Sequence, residues 1–314
     1  MVRGMRKKIL VTGSTGFVGT ELCHELQHTE YFISNTVRDC SKLIPGLDNI
    51  VIPSFSSDTD WSHALEGCDT IIHLAARAHI LNDSCTDPLS AFRLTNTSAT
   101  LNLAEQAAAC GVSRFIFLSS IGVNGSKTAE KIFHYNDSPS PHSPYAVSKF
   151  EAEIGLREIA ERTNLDVVII RSPGIYGRNA PGNFGLLVKC IRYGLPIPVG
   201  SIRNKRSLVS VENIVSFIIA CVEHKAAANE LFLISDGEDL STVQLLNVLG
   251  KLVGKKPVIF RFSLKFLRFL FMHLGKTKAG ESLMENLQLD SKRSRDLLNW
   301  TPPFSPKKLI EKFD

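Results

Sequence analysis

Tyr145 and Lys149 stand four residues apart, a spacing that can bring a phenol and an ammonium group together. Residues i and i+4 are neighbours on one face of a helix. The lysine charge favours the phenolate and so lowers the tyrosine pKa from about 10 towards neutral pH. Such a tyrosine can take or give a proton at a carbinol oxygen. Taken alone, however, such a pair is more often a solvated feature of a helix surface.

Two hydroxyl groups upstream strengthen the chemical interpretation. Residues 114–118 form an apolar run, typical of a buried strand, that leads into Ser119 and Ser120. In open α/β sheets ligands bind beyond the carboxyl ends of the strands, where a serine hydroxyl can hydrogen-bond the oxygen that the tyrosine serves. We therefore predict Ser120, Tyr145 and Lys149 as the catalytic residues.

A glycine-rich loop near the start of the chain predicts a dinucleotide site. Gly13, Gly16 and Gly19 have the spacing G-x-x-G-x-x-G, between a predicted strand at 8–11 and a predicted helix at 18–27. Glycine permits the tight turn and the close approach of a pyrophosphate, and the helix start attracts the negative charge. Without this context an ordinary tight turn would be an equal alternative. The predicted cofactor contacts here are Gly13, Thr15, Gly16, Phe17 and Val18.

The end of the second predicted strand bears on the choice between NAD and NADP. An acidic residue at this position binds the ribose hydroxyls of NAD, whereas an arginine accommodates the 2′-phosphate of NADP. The strand ends at Val37 and is followed by Arg38 and Asp39. Arg38 favours NADP, while a solvated turn at Arg38 and Asp39 remains the alternative. The predicted cofactor is therefore NAD or NADP.

Strand and helix patterns alternate along the first half of the chain, which predicts an α/β fold with a Rossmann-type, doubly wound parallel sheet. Predicted strands lie at 8–11, 32–37, 49–52, 70–74, 114–118 and 167–170, and predicted helices at 18–27, 60–65, 88–110 and 148–161. After Arg171 the pattern changes to segments rich in glycine and proline. We predict a dinucleotide-binding domain at 1–171, to which 206–235 returns, and a smaller C-terminal α/β substrate lobe at 172–205 and 236–314.

Composition narrows the classes of partner. The net charge is +5 and the isoelectric point near 8.8, which suits an anionic small molecule, but no basic cluster is dense enough for nucleic acid. Seven cysteines are scattered without the spacing of zinc ligands, so we predict no metal site and expect reduced thiols. No export signal or apolar run of about 20 residues is visible, and we expect a cytoplasmic protein.

Together with the glycine loop, Ser119, Ser120 and the Tyr145/Lys149 pair, the run His73-Leu74-Ala75-Ala76 and Asn96 make the chain resemble one family. It is similar to the extended short-chain dehydrogenases/reductases, in the branch of NAD-dependent epimerases and dehydratases of nucleotide sugars. The resemblance implies that Ser120 and Tyr145 flank the sugar C4 hydroxyl and that Lys149 also holds the nicotinamide ribose. It adds as cofactor contacts Leu74, Ala75, Ala76, Asn96, Ser119 and Pro173, although Asn96 is equally compatible with capping or packing.

The same resemblance extends to the substrate side. Residues 170–178 resemble a family motif, R-P-x-x-V-Y-G-P, that turns the chain back over the nicotinamide. Asn183 follows at a predicted helix start, where it can cap the helix and also donate to a substrate phosphate. Arg206 aligns with the family arginine that reaches the substrate diphosphate, a task that suits a guanidinium. A solvated basic turn explains the nearby Arg203 and Lys205.

Members of the family have several functions, and the sequence favours one of them over the others. We predict a 4-epimerase of a UDP-hexose or UDP-N-acetylhexosamine, acting by hydride transfer at sugar C4. The alternatives are an NADPH-dependent 4-ketoreductase of a UDP-4-keto-6-deoxy sugar and, from another class, a non-catalytic dinucleotide-binding sensor or scaffold. A 4,6-dehydratase fits less well, because Ile121 and Gly122 occupy the place of the acidic pair that dehydratases carry. The family also implies a homodimer through the helices at 88–110 and 148–161.

One segment stays outside this scheme. Residues 260–274 mix phenylalanines with Arg261, Lys265 and Arg268. Such an amphipathic helix can touch a membrane surface or a lipid-linked sugar. A helix that faces the core of the small lobe is the commoner meaning of an apolar stripe, and both alternatives are left open.

Overall fold

The computed structural model describes residues 6–78, 86–275 and 277–306. A parallel sheet forms the centre of this part of the chain. The strands of this part of the chain are β1 (Lys8–Thr12), β2 (Phe32–Val37), β3 (Asp48–Val51), β4 (Thr70–His73), β5 (Arg114–Ser120), β6 (Asp166–Ser172), β7 (Gly174–Tyr176), β8 (Arg206–Ser210), β9 (Leu231–Leu233) and β10 (Asp239–Leu240). Seven form one parallel sheet in the order β3-β2-β1-β4-β5-β6-β9. The predicted doubly wound sheet is confirmed, and its six predicted strands match β1 to β6 within two residues.

Helices cover this sheet and build the second lobe. They are α1 (Phe17–Leu26), α2 (Ser62–Leu65), α3 (Pro88–Phe92), α4 (Ala99–Ala109), α5 (Pro144–Arg162), α6 (Gly182–Tyr193), α7 (Val211–Glu223), α8 (Thr242–Leu252), α9 (Leu264–His273), α10 (Thr277–Met284) and α11 (Lys292–Leu298). The helix predicted at 88–110 is interrupted by a π-helical turn at Arg93–Ser98. The helix predicted from 148 begins at Pro144, because Pro144 suits a first helical position and the Ser143 hydroxyl accepts the Ala146 N–H at 3.2 Å.

Both faces of the large sheet are buried, which explains why its strands are apolar without interruption. One face packs against α2, α4 and α5 through residues such as Trp61, Leu103 and Leu156. The other face packs against α1 and α7 through residues such as Leu22 and Phe217. The side chains of a single strand alternate between the two cores, so the sheet fixes both helix layers.

A second, three-stranded sheet in the order β10-β8-β7 supports the C-terminal lobe. Residues 206–210, which belong to the segment predicted to return to the dinucleotide-binding domain, pair with β7 and β10 and not with the large sheet. The outer edge of β6 is taken by β9, so the return to the large sheet begins with α7. The division of the chain into two domains stays a prediction.

Arg114, at the start of β5, ties the end of α7 to the sheet. Its Nη1 atom donates to the carbonyl oxygens of Cys221, Val222 and His224 at 2.8, 3.1 and 3.0 Å, and Nη2 donates to Asp166 at 3.3 Å. The last carbonyls of a helix have no partner within the helix, and a cation there also complements the helix dipole. A buried arginine therefore completes the hydrogen bonding of α7.

We predict that Arg114→Met lowers the free energy of unfolding by about 2–4 kcal/mol, because the helix-end carbonyls lose a charged donor. Urea unfolding measures the change. Arg157→Met, on the exposed side of α5, is the matched control and should cost less than about 0.5 kcal/mol. Equal losses for the two variants would contradict this role of Arg114.

Candidate active site

Several of the predicted catalytic and cofactor residues lie at the carboxyl ends of β1, β4 and β5. Strand β1 pairs with β2 on one side and β4 on the other, so the crossovers from β1 and β4 leave the sheet in opposite directions there. Such a switch point is the usual ligand crevice of an open parallel sheet. The glycine loop follows β1, Leu74–Ala76 follow β4, and Ser119 and Ser120 end β5.

The glycine loop is shaped to receive an anion. Gly13 has φ +73°, and a Cβ there would lie 2.6 Å from the Ala75 nitrogen, so the position requires glycine. A Cβ on Gly19 would collide with the Gly13 carbonyl oxygen. Gly16 precedes α1, and no side chain of the described residues caps that helix. The first N–H groups of a helix have no partner within the helix, and an uncapped helix start of this kind suits an anionic ligand.

At the end of β2 the structure places Arg38 in solvent, directly after the buried Val37. The strand end is where the sequence predicts it. The neighbouring Asp39 carboxylate accepts the Ser41 N–H at 2.9 Å, and this hydrogen bond lowers its pKa. Asp39 therefore caps the short turn Cys40–Lys42, and the guanidinium of Arg38 lies at the strand end.

Asn96 is buried in the π-helical turn, and its side chain is engaged by the protein. Its oxygen accepts the Arg77 N–H at 2.8 Å, and its Nδ2 atom donates to the Arg77 carbonyl at 3.2 Å and to the Ser148 hydroxyl at 3.0 Å. These bonds join the chain beyond β4 to α5, as the packing alternative expected. π-Helical turns frequently occur at functional sites. A direct contact of Asn96 with a cofactor stays a prediction.

The three predicted catalytic residues lie on β5 and α5, which pack against each other. The Ser120 hydroxyl accepts the Gly122 N–H at 3.1 Å. Tyr145 is half-buried in the first turn of α5, with its ring 5.9 Å from that of Phe92. One turn later Lys149 is 1% exposed, and its Nζ atom lies 4.2 Å from the centre of the Phe117 ring. The structure thus gives a hydroxyl, a phenol and an amine at one end of the sheet.

Burial changes the pKa values of both groups on α5. It raises the pKa of Tyr145 to about 12 and lowers the pKa of Lys149 to about 7, which the negative charge of Glu153 partly opposes. The expectation that Lys149 lowers the tyrosine pKa is wrong for the protein groups alone. Removal from water disfavours the charged forms of both side chains, and this effect is the larger one.

Sequence reasoning missed a buried ion pair beneath these residues. Arg171, at the end of β6, donates from Nε to Glu153 at 3.0 Å and from Nη2 at 2.6 Å, and both side chains are buried. Glu153 also accepts the Ser119 hydroxyl at 2.5 Å, and Arg171 donates to Asn124 at 2.9 Å. A signal was available, because Glu153 stands four residues after Lys149 and so shares its inward face of α5.

The predicted substrate residues lie on the second lobe. Pro173 is buried between β6 and β7. Asn183 is exposed in the first turn of α6, but Pro181 is the N-cap because the helix already begins at Gly182; the capping role is therefore wrong. Arg206 starts β8, donates to the Glu285 carbonyl at 3.0 Å, and has its pKa lowered to about 10 by burial. Arg203 donates to carbonyls of its own turn.

The sequence profile of the NAD dependent epimerase/dehydratase family matches residues 9–235 of the chain. The chain belongs to this family. It is 38% identical to "UDP-glucose 4-epimerase" of Vibrio cholerae over 304 residues, which cover 96% of this chain and 92% of that protein. It is also 32% identical over 257 residues to "N-acetyl-alpha-D-glucosaminyl-diphospho-ditrans,octacis-undecaprenol 4-epimerase" of Escherichia coli O157:H7, covering 80% of this chain and 74% of that protein.

A solved structure supports the fold. MoeE5, in complex with UDP-glucose and NAD, superimposes with a TM-score of 0.78 at 22% identity and covers 98% of this chain and 97% of its own. This likeness confirms the Rossmann-type architecture over the length of the chain.

We predict that Glu153→Gln lowers the free energy of unfolding by about 3–5 kcal/mol, because it leaves the Arg171 charge buried without a carboxylate. Glu151→Gln is the matched control on the same helix, since Glu151 pairs with Arg93 near the surface, and it should cost at most about 1 kcal/mol. Urea unfolding at neutral pH measures both. Similar losses would show that the buried pair contributes no more than a surface pair.

Proposed function

We propose that the protein is a nicotinamide-dependent 4-epimerase of a UDP-hexose or UDP-N-acetylhexosamine. The observation that carries the proposal is the meeting of an uncapped glycine-loop helix with Ser120 and the Tyr145/Lys149 pair at one sheet edge. The Vibrio cholerae relative, which aligns with most of the chain and is named as a 4-epimerase, supports the same reaction. Bound UDP-glucose and NAD in MoeE5 support the ligand pair.

In this proposal, side chains of the protein orient the sugar C4 oxygen and transfer its proton. Ser120 accepts the Gly122 N–H, so its single O–H proton is left to donate to that oxygen. Tyr145 takes the C4 hydroxyl proton and returns it. When bound, the nicotinamide supplies the hydride acceptor and donor at C4 and, in its oxidised form, a positive charge. A positive charge near Tyr145 favours the phenolate and offsets the effect of burial on its pKa.

The remaining predicted contacts follow the same geometry. The loop from Gly13 to Val18 would hold the pyrophosphate. Leu74, Ala75, Ala76, Ser119 and Pro173 would line the nicotinamide side, and Asn96 would act by fixing the chain beyond β4 through its two bonds to Arg77. Asn183 and Arg206 would contact the substrate diphosphate, to which a guanidinium is suited.

The protein also forms a homodimer in this proposal, through the helices α3 to α5. Support comes from two large apolar side chains that these helices expose, Leu94 and Ile154. A two-fold contact would remove both from water.

A second candidate substrate is a sugar linked through diphosphate to a polyprenol, as in the name of the Escherichia coli relative. One observation favours it. The Glu285 carbonyl accepts from Arg206, and the Glu285 carboxylate pairs with Arg268 of α9 at 3.0 Å. Glu285 thus contacts both the arginine proposed for the diphosphate and a helix with exposed phenylalanines.

The assay that decides among these functions offers UDP-glucose and UDP-N-acetylglucosamine without added NADPH, and N-acetylglucosaminyl-diphospho-undecaprenol in detergent. We predict interconversion at C4, and a loss of about 10²–10⁴-fold in kcat for Tyr145→Phe. Tyr135→Phe, which removes a hydroxyl elsewhere on the surface, is the control and should keep full activity. NADPH consumption only with a 4-keto sugar nucleotide would make the protein a ketoreductase, and cofactor binding without turnover a sensor or scaffold.

Arg38 gives a separate prediction about the cofactor. We propose that its guanidinium favours NADP through the 2′-phosphate. Arg38→Ala should then weaken NADP binding by roughly tenfold or more, because a charge-assisted hydrogen bond is lost, and should leave NAD binding within about twofold. Fluorescence titration measures both, with Lys42→Ala in the next turn as control. Release of NAD alone from the denatured wild-type protein, with no effect of Arg38→Ala, would overturn the preference for NADP.

A further inference from the structure

The segment at 240–280 carries an unusual distribution of charge. It contains eight lysines and arginines and no aspartate or glutamate. Since the whole chain has a net charge of only +5, the remaining residues carry a net negative charge. The positive charge of the protein is therefore concentrated in this segment, which includes α8, α9 and the start of α10.

Helix α9 presents apolar side chains on more than one side. Leu267 is buried, and Phe271 packs against the core of the small lobe. Large apolar side chains nevertheless point to solvent from α9 and the residues that flank it. We call them the aromatic face: Val258, Phe260, Leu264, Phe266, Phe269, Leu270, Met272 and Leu274. Because Lys265 and Arg268 of α9 are exposed as well, apolar and basic side chains are mixed on the solvent side of this helix.

Phe266 and Phe269 of the aromatic face belong to a chain of ring contacts that runs along α9. The Phe262 and Phe266 rings are 5.3 Å apart, those of Phe266 and Phe269 are 6.0 Å apart, and the His273 ring lies 4.0 Å from Phe269. Several exposed apolar groups in one patch indicate an interaction surface, whereas single ones are ordinary. Leu267, Phe262 and Phe271 make the inward contacts with the core of the small lobe, whereas the side chains of the aromatic face are exposed.

Basic side chains belong to the same segment as the aromatic face. Lys255, Lys256, Arg261 and Lys265 are all exposed. A helix that lies on a bilayer combines large apolar groups, which enter the boundary of the acyl chains, with lysines and arginines that meet anionic headgroups. We propose that the aromatic face docks the protein on an anionic lipid bilayer, with α9 parallel to the membrane plane.

The same charges disfavour a second copy of this chain as the occupant. A two-fold contact would place the basic segment of one protomer against that of its partner, and like charges across an interface are strongly unfavourable. Docking also differs from insertion, because none of the helices in the described residues has the length and apolar content to cross a bilayer. The surface fits attachment to one leaflet.

Vesicle flotation with the full-length protein tests the proposal without any enzyme assay, so it can fail independently of the proposed epimerase activity. The protein should float with vesicles of phosphatidylethanolamine and phosphatidylglycerol, and much less with phosphatidylcholine vesicles or at high salt. Phe269→Ser should reduce the vesicle-bound fraction roughly tenfold, and Lys265→Glu should reduce it with anionic vesicles. Phe32→Ser is the matched control. Phe32, at the start of β2, is 49% exposed, and Phe269 is 50% exposed.

Unfolding midpoints of the variants, which should equal that of the wild type, show that the fold is kept. Absence of flotation with anionic vesicles would overturn the proposal. Flotation that Phe269→Ser and Phe32→Ser leave equally intact would overturn it as well. A lower mass of Phe269→Ser in sedimentation would assign the aromatic face to a contact between copies and reject lipid as its occupant.

Discussion

The buried ion pair between Glu153 and Arg171 is the interaction on which the site depends. A charge can remain in the interior only when a partner and further hydrogen bonds satisfy it. Here each partner lies on a different element, Glu153 on α5 and Arg171 on β6, and Ser119 adds β5 to the same network. The pair therefore fixes how α5 lies on the sheet, and with it the distance from Ser120 to the phenol and amine of α5.

The same burial sets the electrostatics of the site. Burial lowers the pKa of Lys149, and the negative charge of Glu153 opposes this shift. His73, between Thr12 at 2.7 Å and Thr100 at 2.9 Å, has its pKa lowered well below the usual value by burial and by the charge of Lys149. Both causes disfavour a second positive charge beside the lysine. His73 therefore hydrogen-bonds both threonines inside the protein. The ionisable groups of the proposed catalytic site lie on α5.

Most of the sheet could be predicted from the sequence, because buried parallel strands are continuous apolar runs and the glycine loop marks the first crossover. The same rule about strand ends led to the prediction that Ser120, Tyr145 and Lys149 share a site. What could not be predicted depends on long-range pairing. The strand at 206–210 pairs with β7 while β9 pairs with β6, and no local pattern encodes these pairings. The tyrosine pKa was misjudged because desolvation cannot be read from spacing alone.

Within the C-terminal lobe, Glu285 links α9 to the arginine proposed for the substrate diphosphate. Its backbone carbonyl holds Arg206, and its carboxylate holds Arg268 of α9. Beside it, Leu264 and Arg268 line a cavity of about 240 Å³ together with Arg203. A change in the position of α9 would therefore be transmitted through one residue to the arginine proposed for the diphosphate. Because Arg206 is partly buried, its side chain has little freedom to compensate, so contact at the aromatic face would bear directly on the substrate side of the site.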